Sequence, residues 1–77
     1  MVKPTRVTNS IRALRFARGE MTQAELADLI GVTRQTVIAI EQGRYSPSLE
    51  MAFQIAHVFK VSIDEVFHYP GSAEEMR

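Results

Sequence analysis

Apolar residues recur at helical spacing in five segments of the chain, which are separated by short polar stretches. This period predicts five short helices. The residues expected on their inward faces are, in chain order, Ile11, Leu14, Ala17, Leu26, Leu29, Ile30, Val37, Ile40, Ala52, Ile55, Ala56, Phe59, Ile63, Val66 and Phe67. No segment alternates with the two-residue period of a strand, so the pattern favours an all-α fold.

The second and third helices have the sharpest predicted boundaries. Thr22 and Glu25 are spaced as a capping box at the start of the second helix. Gly31 ends that helix, because glycine adopts the left-handed conformation needed there at little cost. Thr33 caps the third helix at once, and the small residue Ala27 lies where the two helices must cross closely. This combination of caps, turn and core positions predicts a helix-turn-helix.

The remaining helices have weaker signals. Asn9 or Thr8 can cap the first helix, Ser48 caps the fourth, and Ser62 with Glu65 forms a second capping box before the fifth. These boundaries divide the chain into an N-terminal arm (residues 1–8), one domain (residues 9–68) and a polar tail (residues 69–77).

Composition narrows the class of protein. The chain has 77 residues, 45% of them hydrophobic, which suits one small domain. It contains no cysteine, so disulfides and cysteine-based zinc sites are excluded. His57 and His68 stand far apart without a third ligand at metal-binding spacing, so we expect no metal or other cofactor. Without a signal peptide or long apolar run, the chain is expected to be soluble and cytoplasmic, away from membranes.

Charge is distributed unevenly although the formal net charge is zero. Residues 1–18 contain no acid, and their basic residues are Lys3, Arg6, Arg12, Arg15 and Arg18. Such a polarised chain can present a basic face to DNA, while its neutrality predicts modest nonspecific affinity. Lys3 and Arg6 in the arm can contact phosphates or a minor groove, although a frayed terminus is the simpler interpretation.

The chain resembles the Cro/cI-type (XRE-like) helix-turn-helix regulators over about residues 9 to 68. The motifs that carry the resemblance are TQAELA (22–27), GVTRQTV (31–37), IEQGR (40–44), YSPSLE (45–50) and VSIDEVF (61–67). It implies a compact five-helix, lambda-repressor-like DNA-binding domain with the helix-turn-helix at the second and third helices. It also pairs Arg15 with Glu41 in a structural ion pair, for which a solvated arginine is the alternative.

The third helix is expected to read DNA, because this motif places the start of its second helix in the major groove. Its candidate base-reading residues are Arg34, Gln35, Thr36 and Ala39. The candidate DNA-backbone contacts are Gln23, Thr33, Gln42, Arg44 and Tyr45. By resemblance, the Gln23 side chain contacts phosphate and supports Gln35. Packing against Pro47 is an equally good interpretation of Tyr45.

The leading functional hypothesis is a sequence-specific transcriptional regulator, more specifically a repressor, that binds double-stranded DNA as a homodimer on a palindromic operator. The apolar residues expected at the dimer interface are Ile63, Val66, Phe67 and Tyr69. Capping of the helical bundle is the alternative for the same residues. An antitoxin-type module that binds a protein and its own promoter is the alternative. No arrangement of serine, histidine and acid predicts an enzyme, and no small-molecule site is evident.

Overall fold

A computed structural model describes residues 5–70, and this part of the chain forms five helices and one two-stranded sheet. The elements in chain order are β1 (Thr8–Asn9), α1 (Ile11–Ala17), α2 (Gln23–Ile30), α3 (Arg34–Glu41), α4 (Leu49–Phe59), α5 (Ile63–Val66) and β2 (Phe67–His68). The predicted five-helix fold is therefore confirmed. Lys3, the first half of the predicted arm and most of the predicted tail lie outside the described residues.

The starts of α2, α3 and α4 follow the predicted local chemistry, whereas the N-cap of α1 is Ser10 and not Thr8 or Asn9. Thr22 accepts a hydrogen bond from the backbone of Glu25, whose carboxylate accepts one from the backbone of Thr22, completing the capping box. The hydrogen bonds from Thr22 hold the pKa of the Glu25 carboxyl below its usual value. Gly31 ends α2 with a φ of 74°. Ser48 caps α4 by accepting from the backbone of Met51 at 3.1 Å.

One core joins all five helices. Its fully buried side chains are Ile11, Leu26, Val37, Ile40, Ile55 and Val66. Two expected inward residues are wrong, because Ala17 is exposed and Leu29 is 61% exposed. The inward face of α1 runs through Ile11 and Arg15, which leaves Ala17 facing outward. In α2 the buried stripe is centred on Ala27, away from Leu29.

The two-stranded sheet is the element that the sequence pattern did not predict. Thr8 pairs with His68 and Asn9 with Phe67 in antiparallel register. The backbone N–H of Ser10 extends the pairing by donating to the carbonyl of Val66 at 2.8 Å. The chain therefore enters and leaves the helical bundle at the same place.

Candidate nucleic-acid interface

The first turn of α3 is capped and exposed. Thr33 accepts a hydrogen bond from the backbone N–H of Thr36 at 3.2 Å, and the two hydroxyls lie 3.0 Å apart. Arg34 and Gln35, which follow the cap, are both exposed. Their side chains are free to contact a partner, while the Thr36 hydroxyl already has a neighbour in Thr33. Of the predicted base-reading residues, Arg34 and Gln35 are thus the most accessible.

Buried residues on the opposite side fix the orientation of α3. Val37 is 1% exposed and Ile40 is 2% exposed, and both pack in the core with α2. Ala39 and Ile38 are partly exposed, so they border the outward surface of the helix. Rotation of α3 about its axis would pull two β-branched side chains out of the core. The outward residues are consequently held in one orientation.

The Arg15–Glu41 ion pair that the resemblance implies is present in the structure. Arg15 donates from Nε to Oε2 of Glu41 at 2.7 Å and from Nη2 to Oε1 at 3.2 Å. Its Nη1 donates to the backbone carbonyl of Met21 at 2.7 Å. The two side chains are only 8% and 9% exposed, so the pair is a largely buried joint between α1 and α3.

Gln23, predicted as a DNA-backbone contact, joins the same network. Its Nε2 donates to Oε1 of Glu41 at 3.3 Å. The side chain is partly buried at the first position of α2. Glu41 therefore accepts hydrogen bonds from the two helices that precede α3, and α1, α2 and α3 meet at one carboxylate. Gln35 is not part of this hydrogen-bond network and lies on the exposed first turn of α3.

An open groove of about 770 Å³ lies between α1, the start of α2 and both ends of α3. Arg12, Gln23, Arg34 and Gln42 are among the residues that line it. Arg15 and Glu41 of its lining neutralise each other, while Arg12 and Arg34 outnumber Glu20. Together with the N-terminus of α2, they give the groove the positive charge and the free N–H groups that suit a phosphate. Arg12 was not among the predicted site residues. Its helical position, three residues before Arg15, was the available signal.

The segment after α3 carries the other predicted backbone contacts. Gly43 has a φ of 73°, and the N–H of Arg44 donates to the carbonyl of Ala39 at 3.0 Å. Arg44 is exposed and Tyr45 is 44% exposed. The turn thus presents both side chains to solvent immediately beyond α3.

The predicted dimer interface needs correction. Val66 is fully buried in the core of the monomer and has no surface to offer a partner. Ile63 and Phe67 are partly buried and pack against the same core. Tyr69 is 50% exposed, with the Arg6 guanidinium 5.5 Å from its ring centre. The short helix α5 exposes Asp64 and Glu65 and turns its apolar residues inward, where they close the bundle.

Between residues 5 and 70, no group of three or more His, Cys, Asp or Glu side chains is placed to hold a metal ion.

The helices in the described part of the chain are too short or too polar for any of them to cross a membrane.

Two short helices, α2 and α3, are joined by a turn at Gly31. The first turn of α3 is capped and exposed, and its opposite face is fixed in the core. This arrangement defines a helix-turn-helix DNA-binding domain. The helix-turn-helix family model matches residues 11–66. The chain therefore belongs to the Cro/cI-type (XRE-like) family of helix-turn-helix transcriptional regulators.

Relatives support the same assignment. An uncharacterized HTH-type transcriptional regulator of Methanocaldococcus jannaschii is 55% identical over 49 residues, covering 64% of this chain and 74% of the relative. A Bacillus subtilis protein with the same description is 46% identical over 59 residues, covering 77% of this chain and 88% of that protein. A Vibrio cholerae cryptic phage CTXphi transcriptional repressor is 39% identical over 59 residues, covering 77% of this chain and 52% of the repressor.

A solved structure has the same fold. A candidate DNA-binding protein from Bacteroides fragilis superposes with a TM-score of 0.70 and 22% sequence identity, covering 80% of this chain and 98% of that chain. At this identity the likeness concerns the fold alone.

Proposed function

We propose that this protein is a sequence-specific repressor that binds a palindromic operator as a homodimer. The observation that carries the proposal is the exposed first turn of α3, where Arg34 and Gln35 stand free on a helix fixed by buried side chains. Two half-sites suit the small size of this turn, because one short helix reads only a few base pairs. The relative from Vibrio cholerae is named as a repressor, and this supports the direction of regulation.

Within the proposed site, residues have separate tasks. Gln35 reads a base, since its amide can donate and accept at once, as adenine requires in the major groove. Arg34 can contact guanine by donating two hydrogen bonds to its O6 and N7 atoms, and Thr36 and Ala39 complete the surface that faces the bases. Thr33, Gln23, Gln42, Arg44 and Tyr45 contact the DNA backbone. Arg12 joins them, because it lines the same groove as Gln23 and Gln42.

Selection of bound sequences from random double-stranded DNA, followed by footprinting, tests the proposal. We expect a palindromic consensus with half-site centres about 34 Å apart, one turn of DNA. Repression would then be tested by transcription from a promoter that carries the selected sequence. A failure to enrich any sequence would exclude specific recognition and leave a nonspecific binder.

The division between base and backbone contacts has its own test. Gln35→Ala should flatten the preference at one base pair in each half-site, because a good base contact supplies ~1–3 kcal/mol of discrimination. Arg44→Ala should weaken binding to all sequences alike and reduce the salt slope by roughly one unit for each phosphate that the protein no longer neutralises. Both variants would be titrated against the selected operator, its single-base variants and random DNA. If Gln35→Ala lowers the affinity equally on every sequence, Gln35 does not read a base, and Arg34, Thr36 or Ala39 must do so.

Among the exposed large apolar side chains, which also include Phe16 and Leu29, two surfaces are the candidates for the dimer contact. One is Tyr69 beside β2, and the other is formed by Leu49 and Phe53 of α4, which are 69% and 56% exposed. Sedimentation of Tyr69→Ser and Phe53→Ser would identify the surface, since only the variant at the contact should yield a monomer.

The α4 surface also favours the antitoxin alternative, because apolar groups there suit a protein partner. A stable monomer that forms a complex with the product of a neighbouring gene would favour that function.

A further inference from the structure

The side chain of Asn9 connects the start of α1 to the end of α3. Its Oδ1 accepts a hydrogen bond from the backbone N–H of Ile11 at 3.1 Å. Its Nδ2 donates to the backbone carbonyl of Ile40 at 2.9 Å and lies 3.5 Å from that of Glu41. The amide group therefore uses both its acceptor and its donor, on two helices separated by α2 in the sequence.

Asn9 is a suitable anchor because its own backbone is held. It belongs to β1 and pairs with Phe67, while the next residue, Ser10, donates to the carbonyl of Val66 at 2.8 Å. The last carbonyls of a helix lack partners within the helix and are stabilised by a donor brought from elsewhere. The Asn9 amide supplies such a donor from a fixed position.

The residues that follow depend on how α3 ends. The N–H of Gly43 donates to the same Ile40 carbonyl at 3.1 Å, and that of Arg44 donates to the Ala39 carbonyl at 3.0 Å. Gln42, Arg44 and Tyr45 thus take their directions from the last turn of α3. The Arg15–Glu41 ion pair holds the side chain of this turn, whereas Asn9 holds its backbone.

We propose that Asn9 is a positioning residue for DNA binding, which fixes the last turn of α3 and thereby places the phosphate-contacting segment that begins at Gln42. Its amide is engaged by hydrogen bonds within the protein, so it acts on DNA binding through α3, although the residue also borders the groove between α1 and α2. The inference rests on the proposed function for its effect on affinity. The reading turn at the start of α3 keeps its own cap in Thr33 and does not depend on Asn9.

Two substitutions remove the donor in different ways. Asn9→Ala deletes the amide, and Asn9→Asp keeps an acceptor for the N–H of Ile11 while placing an oxygen against the carbonyls of α3. Ser10→Ala is the matched control, because the Ser10 hydroxyl contacts His68 at 2.9 Å and not α3. Thermal unfolding of each variant would establish a temperature at which all are fully folded.

Under those conditions Asn9→Ala should weaken operator binding about fivefold, the equivalent of one hydrogen bond. The decrease should be the same for operator and random DNA, and the base preference assigned to Gln35 should remain. Asn9→Asp should bind more weakly still, and Ser10→Ala should bind as wild type. The proposal would be overturned if Ser10→Ala lowered the affinity for DNA as much as Asn9→Ala does, or if only Asn9→Asp lowered it.

A double-mutant cycle separates positioning from a general effect on folding. Once Arg44→Ala has removed the phosphate contact, adding Asn9→Ala should weaken binding by a smaller factor than it does in the wild type. If the decreases in affinity of the two single variants simply multiply in the double variant, Asn9 does not act through this segment.

Hydrogen exchange provides a readout that needs no DNA. The amides of Gln42, Gly43 and Arg44 should exchange faster in Asn9→Ala than in Ser10→Ala. If the wild type selects no operator, the proposed function fails while this exchange still tests the placement by Asn9. Unchanged exchange at these amides would overturn the inference whatever the DNA result.

Discussion

At the residue scale, one largely buried carboxylate, that of Glu41, joins three helices. Both oxygens of Glu41 accept hydrogen bonds, from Arg15 and from Gln23, and the Arg15 guanidinium also reaches the carbonyl of Met21. Each of these polar groups thus makes hydrogen bonds within the protein in place of the hydrogen bonds to water that it loses on burial. The arrangement is favourable only when complete, because either charge left alone in the same place would lack its partner.

Arg15→Met and Glu41→Leu should each destabilise the domain strongly. Loss of one member of a buried pair costs ~3–5 kcal/mol, because the other charge stays buried without compensation. That is a large share of the stability of a small domain. Urea unfolding of both single variants would measure the two losses of stability.

The double variant Arg15→Met/Glu41→Leu is the control for coupling between these residues. It should be more stable than the sum of the two single effects implies, since no charge remains buried. Simple additivity would mean that the two charges contribute independently and that the hydrogen bonds between them add little.

At the element scale, the helix ends show how far sequence alone can predict this fold. Capping residues and glycines act within four residues, so the boundaries of α2, α3 and α4 follow from local chemistry. Leu29, expected in the core, is exposed, and Val66, expected both on an inward face and at a dimer interface, lies in the core. An apolar residue signals burial without telling which neighbour buries it. The bond from Asn9 to α3 was likewise unpredictable, since it joins residues 31 positions apart.

The left-handed turn at Gly31 should be sensitive to any Cβ. Its φ is 74°, and an added Cβ would meet no atom within 4 Å, so the cost is one of backbone conformation alone. Gly31→Ala should lower the free energy of unfolding by about 1–2 kcal/mol. Gly31→Asn should be less destabilising, because asparagine adopts this conformation more readily. Thermal unfolding would compare them, and equal effects would mean that the left-handed backbone conformation is not the source of the cost.

The capping boxes should make the helices sensitive to acid. Hydrogen bonds from Thr22 lower the pKa of Glu25, and hydrogen bonds from Ser62 lower the pKa of Glu65. The unfolded state therefore binds protons at higher pH than the folded state does. Stability from these caps is present above the usual glutamate pKa of about 4.3 and is lost as the pH falls through the lower folded values.

Glu25→Gln and Glu65→Gln provide the test of this acid sensitivity. Each amide keeps an oxygen for the cap but cannot take up a proton, so the loss of stability between pH 5 and pH 2 (roughly the carboxyl range) should be smaller than in the wild type. Chemical denaturation at a series of pH values would measure it. Slopes identical to the wild type would assign the acid response to other carboxylates.

At the scale of the whole molecule, the domain is a loop closed by its own ends. The pairing of Thr8 with His68 joins residues 60 positions apart, with the helices between them. No local signal marks such a strand, because two residues on each side carry too little pattern. The closing contact depends on α1 and α5 already being in place, which a periodic sequence cannot specify.

This closure has a mechanical consequence. The chain leaves the domain at Thr8 and at His68, which are paired neighbours in an antiparallel sheet. The hydrogen bonds between these strands lie perpendicular to the strands. A force that separates the two chain ends would therefore load and break them one after another. The strand pair should therefore open at low tension and release Asn9 from its anchored place before the helical core yields. A domain joined to either end could in this way loosen the last turn of α3 simply by applying tension to the chain.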